Sequence, residues 1–207
     1  MRENLSGGVR IVFCYSGTIE SHAVFLHGSH TVGIPRAPSQ AKLFVAVMYS
    51  AEDVSEGAVR ALTDRFGETD YRFGPIHFDF TDYYEKEMGS GLLKTYLTFK
   101  RPVATESLAE LKHLTNALEA ESAREGRRRC NLDPGYLTRD KLVLASTKDF
   151  YHRIHLGKGI FAEVTLHYRQ GAFRHFSWTY PDYREREIQQ FLSRARKDIH
   201  VDKPVGT

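Results

Sequence analysis

The chain has 207 residues, 41% of them hydrophobic and 27% charged, with 29 Lys and Arg against 26 Asp and Glu. This globular composition excludes a disordered chain, and a net charge of +3 is too balanced to announce a polyanion binder by itself. Two cysteines, Cys14 and Cys130, exclude a disulfide framework and a multi-cysteine zinc site.

No apolar run reaches the roughly 18–20 residues that span a bilayer, so no membrane association is expected. Lone cysteines suit a reducing compartment, and the cytoplasm is the expected location. Residues 1–40 are punctuated by Gly7, Gly8, Gly17, Gly28, Gly33, Pro35 and Pro38. They read as an irregular arm with one short strand at Val9 to Tyr15. His22, His27 and His30 lack the Cys or carboxylate pattern of a metal site. Residues 41–200 read as a single α+β domain and 201–207 as a tail.

From Lys42 to Tyr49 the chain is continuously apolar, as a strand buried on both faces would be. Ser50 is placed to cap a helix carrying Val54, Ala58, Ala61, Leu62 and Phe66, which Gly67 stops. Tyr71 to Phe80 predicts a second strand broken at Gly74-Pro75, and Leu92 to Lys100 a third. Thr105 opens a long helix with Leu108, Leu111, Leu114, Thr115 and Leu118 at helical spacing, closed by Gly126. Arg129 to Leu132 completes a β-α-β-β-α-β order, the ferredoxin-like arrangement. Beyond it, Thr138 is expected to cap a short helix over Lys141 to Ser146. Strands are expected at Phe150 to Leu156, Ile160 to Arg169 and Ala172 to Trp178, forming an antiparallel meander. A terminal helix runs from Arg184 to Lys197.

Three segments are richer in polar and aromatic groups than folding demands. In the first, Asp79 and Asp82 flank a strand end, with Glu85 and Glu87 close behind. Oxygen ligands gathered there suit Mg²⁺, which takes one or two carboxylates and keeps several waters. The plainer alternative is that Thr81 or Asp82 caps a turn and both glutamates face solvent. In the second, Asp133-Pro134-Gly135 has the chemistry of a turn, with Asp133 emerging just after a strand and Lys141 and Lys148 nearby. The third is the meander. A three-residue loop at Gly157 to Gly159 sets Arg153 opposite Glu163 and His155 opposite Phe161. A two-residue loop at Gln170-Gly171 sets Arg174 opposite His167 and Trp178 opposite Glu163. One face would then show Arg153, Glu163, His167 and Trp178 together, either as a site or as a solvated face with an ordinary ion pair. Trp178 to Arg184 adds aromatics around a proline turn, which either stack a base or pack a corner. Arg127, Arg128 and Arg129 read as a solvated turn. No Walker-type loop, dinucleotide fingerprint, nucleophile elbow or metalloprotease motif is present.

The strings FDFTDYYEKEMGSGL, NLDPGYLTRDKLVLASTKDFYHRIHLGKGIFAEVTL and WTYPDYR resemble those of the bacterial domain-of-unknown-function family 4416, over about Ala41 to Arg196. The resemblance implies no activity, because the family is named for lacking one.

The residues themselves point to a small-molecule phosphate- or nucleotide-handling protein assisted by Mg²⁺. Asp133, His152 and Glu163 are the candidate catalytic groups. Lys141, Lys148, Arg153, Lys158, Trp178 and Arg184 are the substrate contacts, and Asp79 and Asp82 the metal ligands. The competing expectation is a non-catalytic nucleic-acid or partner-binding module, weakened by the lack of an RNP-type string on the strands.

Overall fold

The computed structural model describes residues 10–15, 18–23, 38 and 40–199. The chain separates into two units, residues 1–37 and 38–207. In the first, β1 (Arg10–Tyr15) and β2 (Thr18–Ala23) form an antiparallel hairpin, where an irregular arm with a single strand was expected. His27 and His30 lie outside the described residues.

The second unit is α+β. Among the described residues it has eight strands: β3 (Ala41–Tyr49), β4 (Thr69–His77), β5 (Leu93–Val103), β6 (Cys130–Leu137), β7 (Lys141–Ser146), β8 (Ile154–Gly157), β9 (Ile160–Arg169) and β10 (Ala172–His175). All pair antiparallel, in the order β10-β9-β7-β6-β3-β5-β4 with β8 also paired to β9. The centre is β3 (Ala41–Tyr49), in which every residue is buried. Leu43, Val45, Val47 and Tyr49 face one way, against α1 (Glu52–Phe66) and α3 (Leu108–Ser122). Phe44 and Ala46 face the other way, into the cluster that holds α5 (Arg186–Ala195). The strand reads as unbroken hydrophobic sequence because it is covered on both sides. On α1, Val54, Ala58, Leu62 and Phe66 fall every fourth residue and are buried, so truncating Leu62 to Ala costs about 2–5 kcal/mol. The N-cap of α1 is Ala51 with no side-chain bond, rather than Ser50, and Gly67 ends the helix at φ 90°.

Several elements depart from expectation. β4 (Thr69–His77) and β5 (Leu93–Val103) pair with an irregularity at Phe73 to Ile76, where Gly74 lies so close to β5 that a Cβ would sit 2.6 Å from the Lys94 carbonyl oxygen. β6 (Cys130–Leu137) runs straight through Asp133-Pro134-Gly135, which is therefore no turn. Lys141–Ser146 is a strand, β7, rather than a helix. Its four-residue apolar run is too short to show a period, and neighbours on both edges decide in favour of strand. Thr138 does cap, but at a hairpin: its hydroxyl accepts from the N–H groups of Asp140 and Lys141.

The β6–β7 ladder holds only Gly135, Tyr136 and Leu137, and then the strands part. Residue 135 has to be glycine, since a Cβ there would meet the Val143 carbonyl oxygen at 2.3 Å. Pro134, which has no N–H to donate, stands where the ladder stops. Past it, the N–H of Leu132 donates to Glu119 at 2.8 Å and its carbonyl accepts from Lys112 at 2.8 Å. Two side chains of α3 thus satisfy the backbone groups that a neighbouring strand would otherwise satisfy.

β8 (Ile154–Gly157) and β10 (Ala172–His175) both pair with β9 (Ile160–Arg169), along the edge opposite β7. The expected meander is in fact one long strand with two short ones end to end beside it. β10 stops before Trp178, and a short helix α4 (Pro181–Arg184) precedes α5. No helix among the described residues is long and apolar enough to cross a membrane.

Candidate functional site

Where β6 and β7 part, the sheet opens into a cavity of about 660 Å³. That volume is within the range usual for small-molecule sites, about 300–1,000 Å³. Its base is sheet: Met48 is next to last in β3, Lys94 is second in β5, Asn131 and Asp133 lie on β6, Ser146 ends β7 and Glu163 lies on β9. Two further walls come from the β4–β5 connection (Phe78, Phe80, Tyr83, Tyr84) and from Tyr180 to Tyr183. The gap lets Lys112, Asn116 and Glu119 of α3 reach the same space.

The β4–β5 connection is held down twice. Met88 of α2 (Glu85–Met88) and Leu92 pack with Met48, and Arg128 grips Glu87 through two bonds of 2.8 and 2.7 Å. Thr81 accepts the N–H of Tyr83 at 3.2 Å, so the turn-capping reading of this segment holds for Thr81. Arg128 also reaches Glu119 at 3.0 Å and Asn131 at 3.2 Å, while Arg129 pairs with Asp53. The arginine run is an anchor more than a solvated turn. Its guanidinium holds the Glu87 carboxyl below the usual carboxylate range, whereas burial pushes Glu119 up.

The cavity's cations are mostly matched. Lys94, buried, bonds Asp182 at 2.6 Å, and the same carboxylate accepts from the Tyr96 hydroxyl at 2.7 Å. The Lys94 ammonium also stands 5.0 Å from the rings of Phe78 and Tyr183. Lys112 lies 3.4 Å from Asp133 and 3.9 Å from Glu119. Arg153 bonds Glu163 at 2.9 Å, Ser146 at 2.8 Å and the Tyr180 hydroxyl at 3.2 Å. Lys148 differs. Its ammonium sits 4.2 Å over the ring of Tyr83, and among the described residues it has no carboxylate partner.

Of the residues singled out from sequence, Asp133, Lys148, Arg153 and Glu163 line this cavity. The inferred register holds for His155 opposite Phe161 and Arg174 opposite His167. Glu163, however, is only 2% exposed, so its pair with Arg153 is no solvated surface bridge. Trp178 is not opposite Glu163 but in the turn beyond β10, where its indole N–H donates to the Val164 carbonyl. His152 lies 3.0 Å from Glu163 but outside the cavity lining, in a row of rings that runs Phe150, His152, Trp178, Phe176, His167 at centroid spacings of 4.6 to 6.0 Å.

The remaining predicted contacts lie elsewhere. Arg184 bonds the carbonyls of Thr179 and Ser177, and Lys158 pairs with Glu110 on an exposed turn. Lys141 is exposed at the start of β7, opposite His167. Asp79 and Asp82 are exposed and outside the cavity lining. Among the described residues no group of three or more His, Cys, Asp or Glu is arranged to hold a metal. Cys130 is buried beside Ser122, and burial raises its thiol, as suits an inert cysteine.

The sequence reasoning missed Lys94, Lys112, Glu119, Asp182 and Tyr183. For Lys112 and Glu119 a signal existed. They share the helical stripe of Leu108, Leu111 and Thr115, where a charge is out of place unless it has a buried task.

An antiparallel sheet covered by helices on both faces, opened at one strand junction into a polar cavity, defines an α+β protein with a pocket of small-molecule size. The chain belongs to the family described as Domain of unknown function (DUF4416), whose model matches residues 39–199. No curated protein and no solved structure matches it significantly.

Proposed function

We propose that the cavity holds a small phosphorylated molecule, with a single phosphate drawn to Lys148. The observation that carries this reading is charge bookkeeping along the wall. Lys94, Lys112, Arg128 and Arg153 each have a carboxylate within 4 Å, and among the described residues Lys148 alone of the lining cations does not. An incoming anion is attracted where positive charge is uncompensated and repelled where carboxylates already stand. Tyr83, Tyr180 and Phe80 are all exposed beside it, offering ring faces on which a planar group stacks. A nucleotide satisfies both features. Among the described residues no carboxylate cluster is arranged to hold a metal, so magnesium would arrive with the phosphate and would supply charge neutralisation there.

The test is a thermal-shift screen against nucleoside monophosphates, sugar phosphates and inorganic phosphate, repeated on Lys148→Met. A ligand at about 100 times its Kd adds about 2.7 kcal/mol of apparent stability. Hits that persist unchanged in the variant would sink the assignment.

The order β6-β3-β5-β4, with α1 and α3 against one face, supports a ferredoxin-like assignment for the first four strands of the sheet.

A second reading, a surface for a macromolecular partner, has one observation in its favour. Tyr151 is 88% exposed and Ile154 69% exposed, beside Phe150 and Leu156, along the outer edge of the sheet. Nucleic acid held there would dissociate steeply as salt rises, because phosphate contacts release counterions, whereas an apolar protein partner would not.

A further inference from the structure

We propose that the inner wall of the cavity takes the vicinal hydroxyls of a sugar ring, so that the ligand is a ribonucleotide or a sugar phosphate. This rests on the phosphate reading above and adds the chemistry of the ligand's other end.

Three side chains carry the inference. Among the described residues the Tyr183 hydroxyl is buried without a hydrogen-bond partner, on a residue that lines the cavity and is 1% exposed. A buried hydroxyl left unmatched is costly, and it can both donate and accept. Asp133 keeps its side chain 31% exposed. One of its oxygens accepts from Asn131 at 2.8 Å and the other faces Lys112 at 3.4 Å. A carboxylate offers about four acceptor sites, so some remain for a ligand. Asn116, which also lines the cavity, adds an amide that can donate and accept.

The charges around these groups select among ligands. An ammonium would approach Asp133 against Lys112, and would approach Tyr183 against Lys94, whose nitrogen is 5.0 Å from the Tyr183 ring. A second phosphate would meet the carboxylates of Asp133, Glu119 and Glu163. Neutral hydroxyls meet neither obstacle. They donate to the carboxylate and exchange hydrogen bonds with the tyrosine and the amide. A pair on adjacent carbons serves a carboxylate's two oxygens at once.

The experiment compares matched ligands by titration calorimetry on the full chain: AMP with 2′-deoxy-AMP, and ribose 5-phosphate with 2-deoxyribose 5-phosphate. The ribo member is expected to bind about tenfold or more tightly, the effect of one hydrogen bond to a charged acceptor. Asp133→Asn and Tyr183→Phe, which remove a charge and a hydroxyl without changing shape, should each bring the ratio within about twofold. Lys148→Met should weaken both members and leave the ratio intact. Equal binding of the two members, still dependent on Lys148, would overturn the sugar assignment and leave the phosphate site standing. No binding of any of the four would overturn both.

Discussion

Glu119 accepts the backbone N–H of Leu132 at 2.8 Å, and in doing so it stands in for a strand. Lys112, about two helical turns away on the same stripe, takes the Leu132 carbonyl. The sheet can therefore part between β6 and β7 without orphaning the backbone groups of Leu132. Both side chains are buried, at 7% and 5% exposure. Glu119→Ala leaves Lys112 and Arg128 short of a counter-charge and the Leu132 N–H unmatched. A loss of about 3–5 kcal/mol is expected, the usual cost of breaking a buried pair from one side. Urea denaturation measures it, and a change under 1 kcal/mol would mean that water serves Leu132 as well as the carboxylate does.

Gly135 sets where the parting begins. Gly135→Ala places a methyl group 2.3 Å from the Val143 carbonyl oxygen, a backbone atom that cannot swing aside. The strands must separate one residue further along, at a cost of roughly 1–3 kcal/mol. Amide exchange at Tyr136 should quicken by roughly tenfold, and unchanged protection there would show that the ladder tolerates the methyl.

The Lys94–Asp182 pair is buried among the rings of Phe78, Tyr96 and Tyr183. Lys94→Met strands the Asp182 carboxylate, with an expected loss of about 3–5 kcal/mol. Adding Asp182→Asn should recover more than half of it, because the uncompensated charge is gone. A double-mutant cycle decides this. Additive losses would mean that the two residues act separately.

Acid should loosen the wall made by the β4–β5 connection. Arg128 holds Glu87 below the usual carboxylate range, so the stability from this contact is present above the ordinary glutamate pKa and lost as pH falls through the depressed one. Glu119, on the other side of the same guanidinium, has the opposite sign. Burial raises it, so its share is full in acid and declines as pH rises through the raised value. Amide exchange over residues 78–91 should accelerate on acidification relative to the core helices. Glu87→Gln should remove that dependence, and if it persists in the variant, some group other than Glu87 holds the segment.

Much of the architecture is legible from residues alone, for physical reasons that also explain the failures. KLFVAVMY announces a doubly covered strand, and the four-residue spacing from Val54 to Phe66 announces α1, because burial writes its period into the chain. LVLA announces nothing, being too short to show a period, and tertiary neighbours make it β7. Asp133-Pro134-Gly135 carries turn chemistry yet lies in β6, where proline marks the end of a ladder and glycine permits close contact with β7. The cavity is less legible still. Asp133 stands out just after a predicted strand with Lys148 nearby in sequence, and Arg153 and Glu163 as neighbours on one predicted sheet face. Lys94, Asp182 and Tyr183 come together only through β5 and α4, which are distant in sequence.

The central claim is that the cavity is an anion-accepting small-molecule site with Lys148 as its phosphate contact. The most direct test is calorimetric titration of AMP into the wild-type chain and into Lys148→Met, whose fold should be unaffected because residue 148 is exposed. Saturable one-to-one binding, weakened about fivefold or more in the variant and on the order of 1 kcal/mol, is the result expected. Equal affinity in both proteins, or no heat in either, would contradict it.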